Sequence, residues 1–144
     1  MQTQDIANTL GGRKLLGKDI KKPEELAQLI RRGLPVSSVG ALALRLHLAD
    51  AVVSRKLKIP SRTMSRRLSA ESLLTPAESD RTVRMARIYA HAVLMIGDQA
   101  NAAAWLITAN RALGGEVPLD QLDTDLGAKM VEDLLGRIAY GVYS

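Results

Sequence analysis

Residues 75–97, TPAESDRTVRMARIYAHAVLMIG, limit the possible folds more than any other stretch. Thr75 and Glu78 have the spacing of a capping box, Pro76 sits at a first-turn position that tolerates proline, and Gly97 can supply a left-handed C-terminal stop. A helix bounded this way is about 30 Å long, enough to cross a small domain. At about 100° per residue, Val83, Ala86, Ala90, Val93 and Leu94 form one apolar stripe. Met85, Ile88, Ala92 and Met95 form a second, nearly opposite. Arg84, Arg87 and His91 fall on a narrow polar strip between them, expected to be solvated or ion-paired rather than functional. A helix with two apolar faces has to be covered on two sides, which puts it at the centre of an all-α fold.

With 47% hydrophobic residues in 144, the chain can close one core of ordinary domain size. It has no cysteine, which excludes disulfides, thiolate nucleophiles and cysteine metal sites. No apolar run approaches the ~20 residues of a membrane span, and the N-terminus lacks the order of a signal peptide, so a cytoplasmic protein is expected. Charge divides the chain. Residues 1–72 hold 14 Lys/Arg against 6 Asp/Glu, whereas residues 73–144 hold 6 against 9. A basic half suits a polyanion and an acidic half does not, so the two halves should meet different partners.

Residues 1–22 are polar, contain Gly11, Gly12 and Gly17, and show little periodicity, which predicts a loose leader. GRKLLGK at 12–18 matches G-x-x-x-x-G-K, but Asp19 stands where a phosphate-binding loop needs Ser or Thr, and no strand precedes it. Nucleotide binding is rejected on both grounds. Pro23, Glu24 and Glu25 open a short helix that closes on Arg31, Arg32 and Gly33. Ser37 or Ser38 can cap a second through Leu46, closed by His47, a helix-end residue with no second metal donor nearby.

The densest functional signal is LADAVVSRKLKIPSRTMSRRL at 48–68. It predicts a helix over 49–57, a turn through Lys58, Ile59 and Pro60, and a second helix capped by Ser61 and running to Leu68. Val52, Val53, Leu57, Ile59, Met64 and Leu68 would form the inner face of the crossing pair. Arg55, Lys56, Lys58, Arg62, Arg66 and Arg67 fall in this stretch with no acidic residue between positions 55 and 67. The arrangement resembles the helix-turn-helix of Xre-type repressors, with SRTMSRR as the recognition helix, although Lys58-Ile59-Pro60 replaces the usual glycine-centred turn. Arg62, Thr63 and Arg66 would project toward base edges, with Ser61, Arg67 and Lys58 on phosphates. Lys58, Ser61, Arg62, Thr63, Ser65, Arg66 and Arg67 are therefore the candidate DNA contacts. A solvated basic face is the plain alternative.

Beyond Gly97, Asp98 can cap a helix through Ile107 that offers a small-residue surface and places Trp105 in the core. NRALGG at 110–115 makes a glycine-ended turn, residues 118–122 one more helical turn, and Thr124 caps a last helix over 125–140. Leu126, Met130, Leu134 and Ile138, with Val131 and Leu135 beside them, read as its inner stripe. Gly141 would end it, leaving Val142, Tyr143 and Ser144 as a tail, either exposed for binding or folded back.

Over residues 34–144 these pieces together resemble antitoxins of the Xre/MbcA/ParS group. The resemblance rests on the helix-turn-helix ending RTMSRR, on LTPAESDRTVRMARIYAHA, and on AAAWLITANRALGGEVPLDQLDTDLGAKMVEDLLGRIAYGVY. ESDR, the W-L-x-x-x-N-x-A-L-G-G-x-x-P-L-x-x-L-D-T run and the YGVY end are each in order and in spacing. The resemblance implies an all-α protein whose N-terminal helix-turn-helix packs through a long central helix onto a C-terminal toxin-binding domain. The expected organisation is a leader over 1–22, a helix-turn-helix domain over 23–74 and a toxin-binding domain with its tail over 75–144.

It further implies a non-enzymatic inhibitor, without cofactor, of a RES-domain toxin that consumes NAD or transfers ADP-ribose from it. The antitoxin's C-terminal segment would occlude the toxin's NAD pocket. Implied toxin contacts are Arg137, Tyr140, Gly141, Val142, Tyr143 and Ser144, with Asn110, Arg111, Ala112, Leu113 and Gly114 as a second surface. Operator DNA, a homodimer and a hetero-oligomer with toxin complete the implied partners. A helix-turn-helix regulator whose C-terminal helices serve dimerisation or an effector is the competing reading. An enzyme fits worst, because two histidines 44 positions apart and no cysteine leave few members for a nucleophile-base pair.

Overall fold

The computed structural model describes residues 3–140. In chain order the α-helices are α1 (Thr3–Thr9), α2 (Gly12–Leu16), α3 (Pro23–Arg32), α4 (Ser37–Leu46), α5 (Asp50–Lys56), α6 (Ser61–Ser69), α7 (Pro76–Ile96), α8 (Gln99–Leu106) and α9 (Asp125–Ala139). Two 3-10 turns, Arg111–Leu113 and Pro118–Asp123, lie between α8 and α9. Among the described residues no strand forms, only the isolated bridges Pro35 with Leu73 and Asn110 with Glu116. The expected end of the last helix at Gly141, and the tail Val142, Tyr143 and Ser144, lie outside the described residues.

The central helix forms as its ends dictate. Thr75 Oγ1 accepts the Glu78 N–H at 3.1 Å, Glu78 Oε1 accepts the Thr75 N–H at 2.9 Å, and Gly97 closes the helix at φ 90°. α7 packs against α1, α3 and α4 and also against α8, α9 and the Pro118–Asp123 turn. Val83, Met85, Ala86, Ile88, Tyr89, Ala90 and Ala92 are buried, while Leu94 at the C-terminal end of one expected stripe is exposed. The polar strip meets the C-terminal helices. Arg84 Nη1 donates to the Leu122 carbonyl at 3.3 Å, Arg87 Nη2 to Glu132 Oε1 at 3.3 Å, and His91 Nδ1 lies 3.6 Å from Glu132 Oε2.

The leader is not loose. Ile6, Ala7, Leu10, Leu16 and Ile20 are buried in the common core, and the buried Ser38 hydroxyl donates to the Leu10 carbonyl at 2.8 Å. That bond also corrects the expected cap: Ser38 faces the leader, and Val36 holds the N-cap position of α4 without a side-chain bond. Helices of seven and five residues carry too little periodicity to be legible alone, and tertiary packing stabilises them. Trp105 is only partly buried and packs against the core from its edge.

A second correction concerns α9. Gly127, Ala128, Val131, Leu134 and Leu135 are buried, whereas Leu126 is 71% and Met130 48% exposed. Gly127 sets this rotation, because a Cβ there would overlap the Gln121 carbonyl oxygen. Its bare backbone lets the start of α9 close on the preceding turn, which brings the 128, 131, 134 and 135 positions inward.

The helix-turn-helix packs as α5 on α4 and α6 on α5, and side chains fasten it to α7. Arg81 Nε donates to the Leu57 carbonyl at 2.9 Å, and Arg67 Nη1 of α6 pairs with Glu78 Oε1. Lys56 of α5 reaches Asp120 in the Pro118–Asp123 turn. Burial alone would raise the Glu78 carboxyl, but the Thr75 N–H and the Arg67 guanidinium outweigh it and hold it below the ordinary carboxylate range.

Gly127→Ala is expected to destabilise the fold by about 2–3 kcal/mol through overlap with a backbone carbonyl. Gly136→Ala, where a Cβ meets nothing within 4 Å, should gain about 0.5–1 kcal/mol. Denaturant melts of the two variants check the rotation of α9. The depressed Glu78 carboxyl contributes stability present above the unfolded carboxyl pKa of about 4.3 and lost as pH falls through its lower folded value. Wild type should therefore exceed Glu78→Gln by about 1.5–3 kcal/mol near neutrality, as expected for a charge-assisted bond. That gap should close on acidification in parallel melts.

Candidate functional site

Two exposed faces, one on α6 and one on α9, carry most of the residues singled out above. The first is the outer side of α6. Leu57 and Ile59 are buried on either side of Lys58, whose φ of 61° is left-handed and turns its side chain outward. The Ile59 N–H donates to the Ser54 carbonyl at 2.9 Å and the Lys58 N–H to the Arg55 carbonyl at 3.0 Å, so the turn is closed without glycine. Pro60, not Ser61, occupies the N-cap of α6, and its carbonyl accepts the Met64 N–H at 2.9 Å. Ser61 therefore lies inside the helix with its hydroxyl unused as a cap.

Met64 is the buried anchor of α6, and Ser61, Arg62, Ser65, Arg66 and Ser69 are exposed on its other side. Thr63 is half-buried. Arg67 is held against Glu78 with 19% of its side chain exposed, so it positions the helix on α7 instead of projecting from it. Leu68, expected on the inner face, is exposed. Ser69 was not among the expected contacts, since nothing before the helix boundary is known marks it as part of the outer face. The result is a cation-rich and hydroxyl-rich surface on a helix whose orientation is fixed by Met64 and Arg67, a chemistry suited to a phosphate backbone and base edges.

The second face belongs to α9. At 100° per residue, Leu126, Met130, Asp133, Arg137 and Tyr140 lie within about 40° of one line. All five are exposed, and Tyr140 is 87% exposed. This line is opposite the buried residues, so the apolar side chains on it are at most partly covered within the described chain. Leu126 and Met130 were missed because the sequence admits two apolar stripes on α9, and only the close approach at Gly127 tells which one turns inward.

The loop over 110–114 is a separate feature. Asn110 Oδ1 accepts the Ala112 N–H at 2.9 Å, and the Asn110 N–H donates to the Glu116 carbonyl at 2.9 Å. These bonds close the loop on itself. Arg111, Ala112 and Gly114 are exposed, while Leu113 packs against the core. Arg137 and Tyr140 are joined to Leu126 and Met130 by the helix, not to this loop by a hydrogen bond. Among the described residues no group of three His, Cys, Asp or Glu could hold a metal ion, and no helix is long and apolar enough to cross a membrane.

Comparison with known proteins finds two domain families in order along the chain. A family model described as the antitoxin Xre/MbcA/ParS C-terminal toxin-binding domain covers residues 90–141, and one described as the antitoxin Xre-like helix-turn-helix domain covers residues 25–87. The chain is 34% identical to Antitoxin Xre of Yersinia enterocolitica over 130 residues, 90% of this chain and 88% of that protein. It is 37% identical to Antitoxin Xre of Photorhabdus laumondii over 120 residues, 83% and 81% of the two chains. A Sphingobium protein named Prs ADP-ribosylating antitoxin is 23% identical over 131 residues, 85% of this chain and 82% of its own. With the two domains matched in order, and relatives of this identity spanning most of the chain, the protein belongs to the Xre/MbcA/ParS antitoxin family as a helix-turn-helix antitoxin of a toxin–antitoxin system.

Proposed function

We propose that this antitoxin neutralises a RES-domain toxin that consumes NAD or transfers ADP-ribose from it. The C-terminal segment, Arg137, Tyr140, Gly141, Val142, Tyr143 and Ser144, occludes the toxin's NAD pocket. The observation that carries this reading is the outward line of α9, which delivers exposed apolar side chains along the helix to the fully projecting Tyr140. A short tail alone has few apolar groups to bury, so the helix before it must contribute contact area. Leu126 and Met130 supply that area, and the loop with Asn110, Arg111, Ala112, Leu113 and Gly114 forms a second, independent contact. The relative named for Prs ADP-ribosylation supports a toxin of this chemistry as partner.

The same protein represses its own operon as a dimer on a two-fold operator. Arg62, Ser65 and Arg66 meet base edges from the outer side of α6, and Lys58 and Ser61 meet phosphates. Arg67, bound to Glu78, supports the reading helix from behind.

Tyr140→Ala, and Leu126→Asp with Met130→Asp, should each weaken the complex with the co-expressed RES toxin by more than about tenfold, the scale of an interface hot spot. Removal of residues 140–144 should restore toxicity in cells while the thermal melt is kept. Retained neutralisation by the truncated protein overturns the occlusion reading. For the DNA role, Arg62→Ala and Arg66→Ala should each reduce operator affinity, with Arg66 altering base preference by about 1–3 kcal/mol if it reaches a guanine edge. Unchanged gel shifts for both variants would remove the recognition-helix assignment.

A further inference from the structure

The GRKLLGK stretch has no role in either proposed interface and lies before the region matched by the helix-turn-helix model. Residues 11–22 hold five Lys/Arg against one Asp, a net charge of +4 in twelve residues. Arg13, Lys14, Lys18, Lys21 and Lys22 are all exposed. Their backbone is nevertheless anchored, because Leu10, Leu16 and Ile20 are buried around them and Ser38 binds the Leu10 carbonyl. The acidic groups near them leave the cations largely free: exposed Asp19 lies 3.9 Å from Arg13, and half-buried Glu25 lies 3.8 Å from Lys18 while its carboxylate accepts the Lys21 and Lys22 backbone N–H groups at 3.1 Å. Such pairs neutralise little in water.

The position of this patch is informative. Leu15 of α2 lines a cleft of about 430 Å³ together with Leu68, Glu71 and Ser72 at the C-terminal end of α6 and with Pro35, Val36 and Ser37. α2 therefore faces the far end of the recognition helix across this cleft, while Lys58 stands at its near end. Eleven of the fourteen Lys/Arg in the first 72 residues lie either in this patch or between positions 55 and 67.

We propose that α2 and the residues after it are a second phosphate-contacting element, which grips the backbone of the same duplex that α6 reads. Cations then bracket the recognition helix at both ends, and the element adds affinity through counterion release without reading sequence. This rests on the DNA-binding reading above. Its own signature is electrostatic and independent of sequence, unlike that of Arg62 and Arg66.

The test uses the full chain and a duplex that the wild-type protein selects from a random pool, with an unrelated duplex of equal length beside it. Binding is measured from about 50 to 200 mM salt. The variant Arg13→Gln with Lys14→Gln and Lys18→Gln changes exposed positions only, and its thermal melt checks the fold. It should lower the slope of log affinity against log salt by about 2–3, one phosphate for each cation. Affinity for the selected and the unrelated duplex should fall by the same factor, on the order of tenfold or more at the lower salt. Arg13→Lys with Lys14→Arg and Lys18→Arg should restore the slope. An unchanged slope in the Gln variant overturns the proposal, and so does a loss confined to the selected duplex. If the wild-type protein selects no duplex, the DNA-binding reading itself fails.

Discussion

One carboxylate holds the functional end of this molecule to its scaffold. Glu78 Oε1 accepts the Thr75 N–H that begins α7 and also receives the Arg67 guanidinium from the recognition helix. Helix initiation and the seating of α6 thus share an acceptor. The partly buried position makes both bonds stronger than their surface equivalents, and it is why the carboxyl is held below its ordinary range in spite of desolvation. α6 presents the solvent with its other side, and the orientation of Arg62 and Arg66 follows from a bond made behind them.

α7 extends that constraint over the whole chain. Its apolar residues are covered by the leader and the first helices on one side and by α8 and α9 on the other, while Arg84, Arg87 and His91 join it to the C-terminal helices through polar contacts. Lys56 and Asp120 add a bridge from the helix-turn-helix to the turn ahead of α9. The two family matches meet within this one helix, so the two halves share a rigid element rather than a linker. A partner docked on α9 and a duplex on α6 would load the same scaffold.

The legible parts of the fold are those with local causes. Thr75, Glu78, Pro76 and Gly97 specify α7 by hydrogen bonds within one or two turns, and Asp98 and Thr124 cap α8 and α9 in the same way. The basic character of residues 55–67 and the family resemblance also needed no coordinates. The leader was misread because Ile6, Leu10, Leu16 and Ile20 are separated by glycines and charges, and only a shared core gives them a reason to be ordered. α9 was misread because its apolar residues cover more than one face.

The sequence by itself determined which helices exist beyond the leader, where most of them begin and end, how charge is divided between the halves, and the family. These follow from capping chemistry, periodicity and spacing, which act over a few residues. Tertiary structure alone decided which face of α9 is free, that Arg67 supports the recognition helix, and that the leader lies beside α6. Each depends on an approach between different elements: Gly127 against the Gln121 carbonyl for the first, Arg67 with Glu78 for the second, and Leu15 across a shared cleft from Leu68 for the third. No pattern within a single helix encodes such an approach.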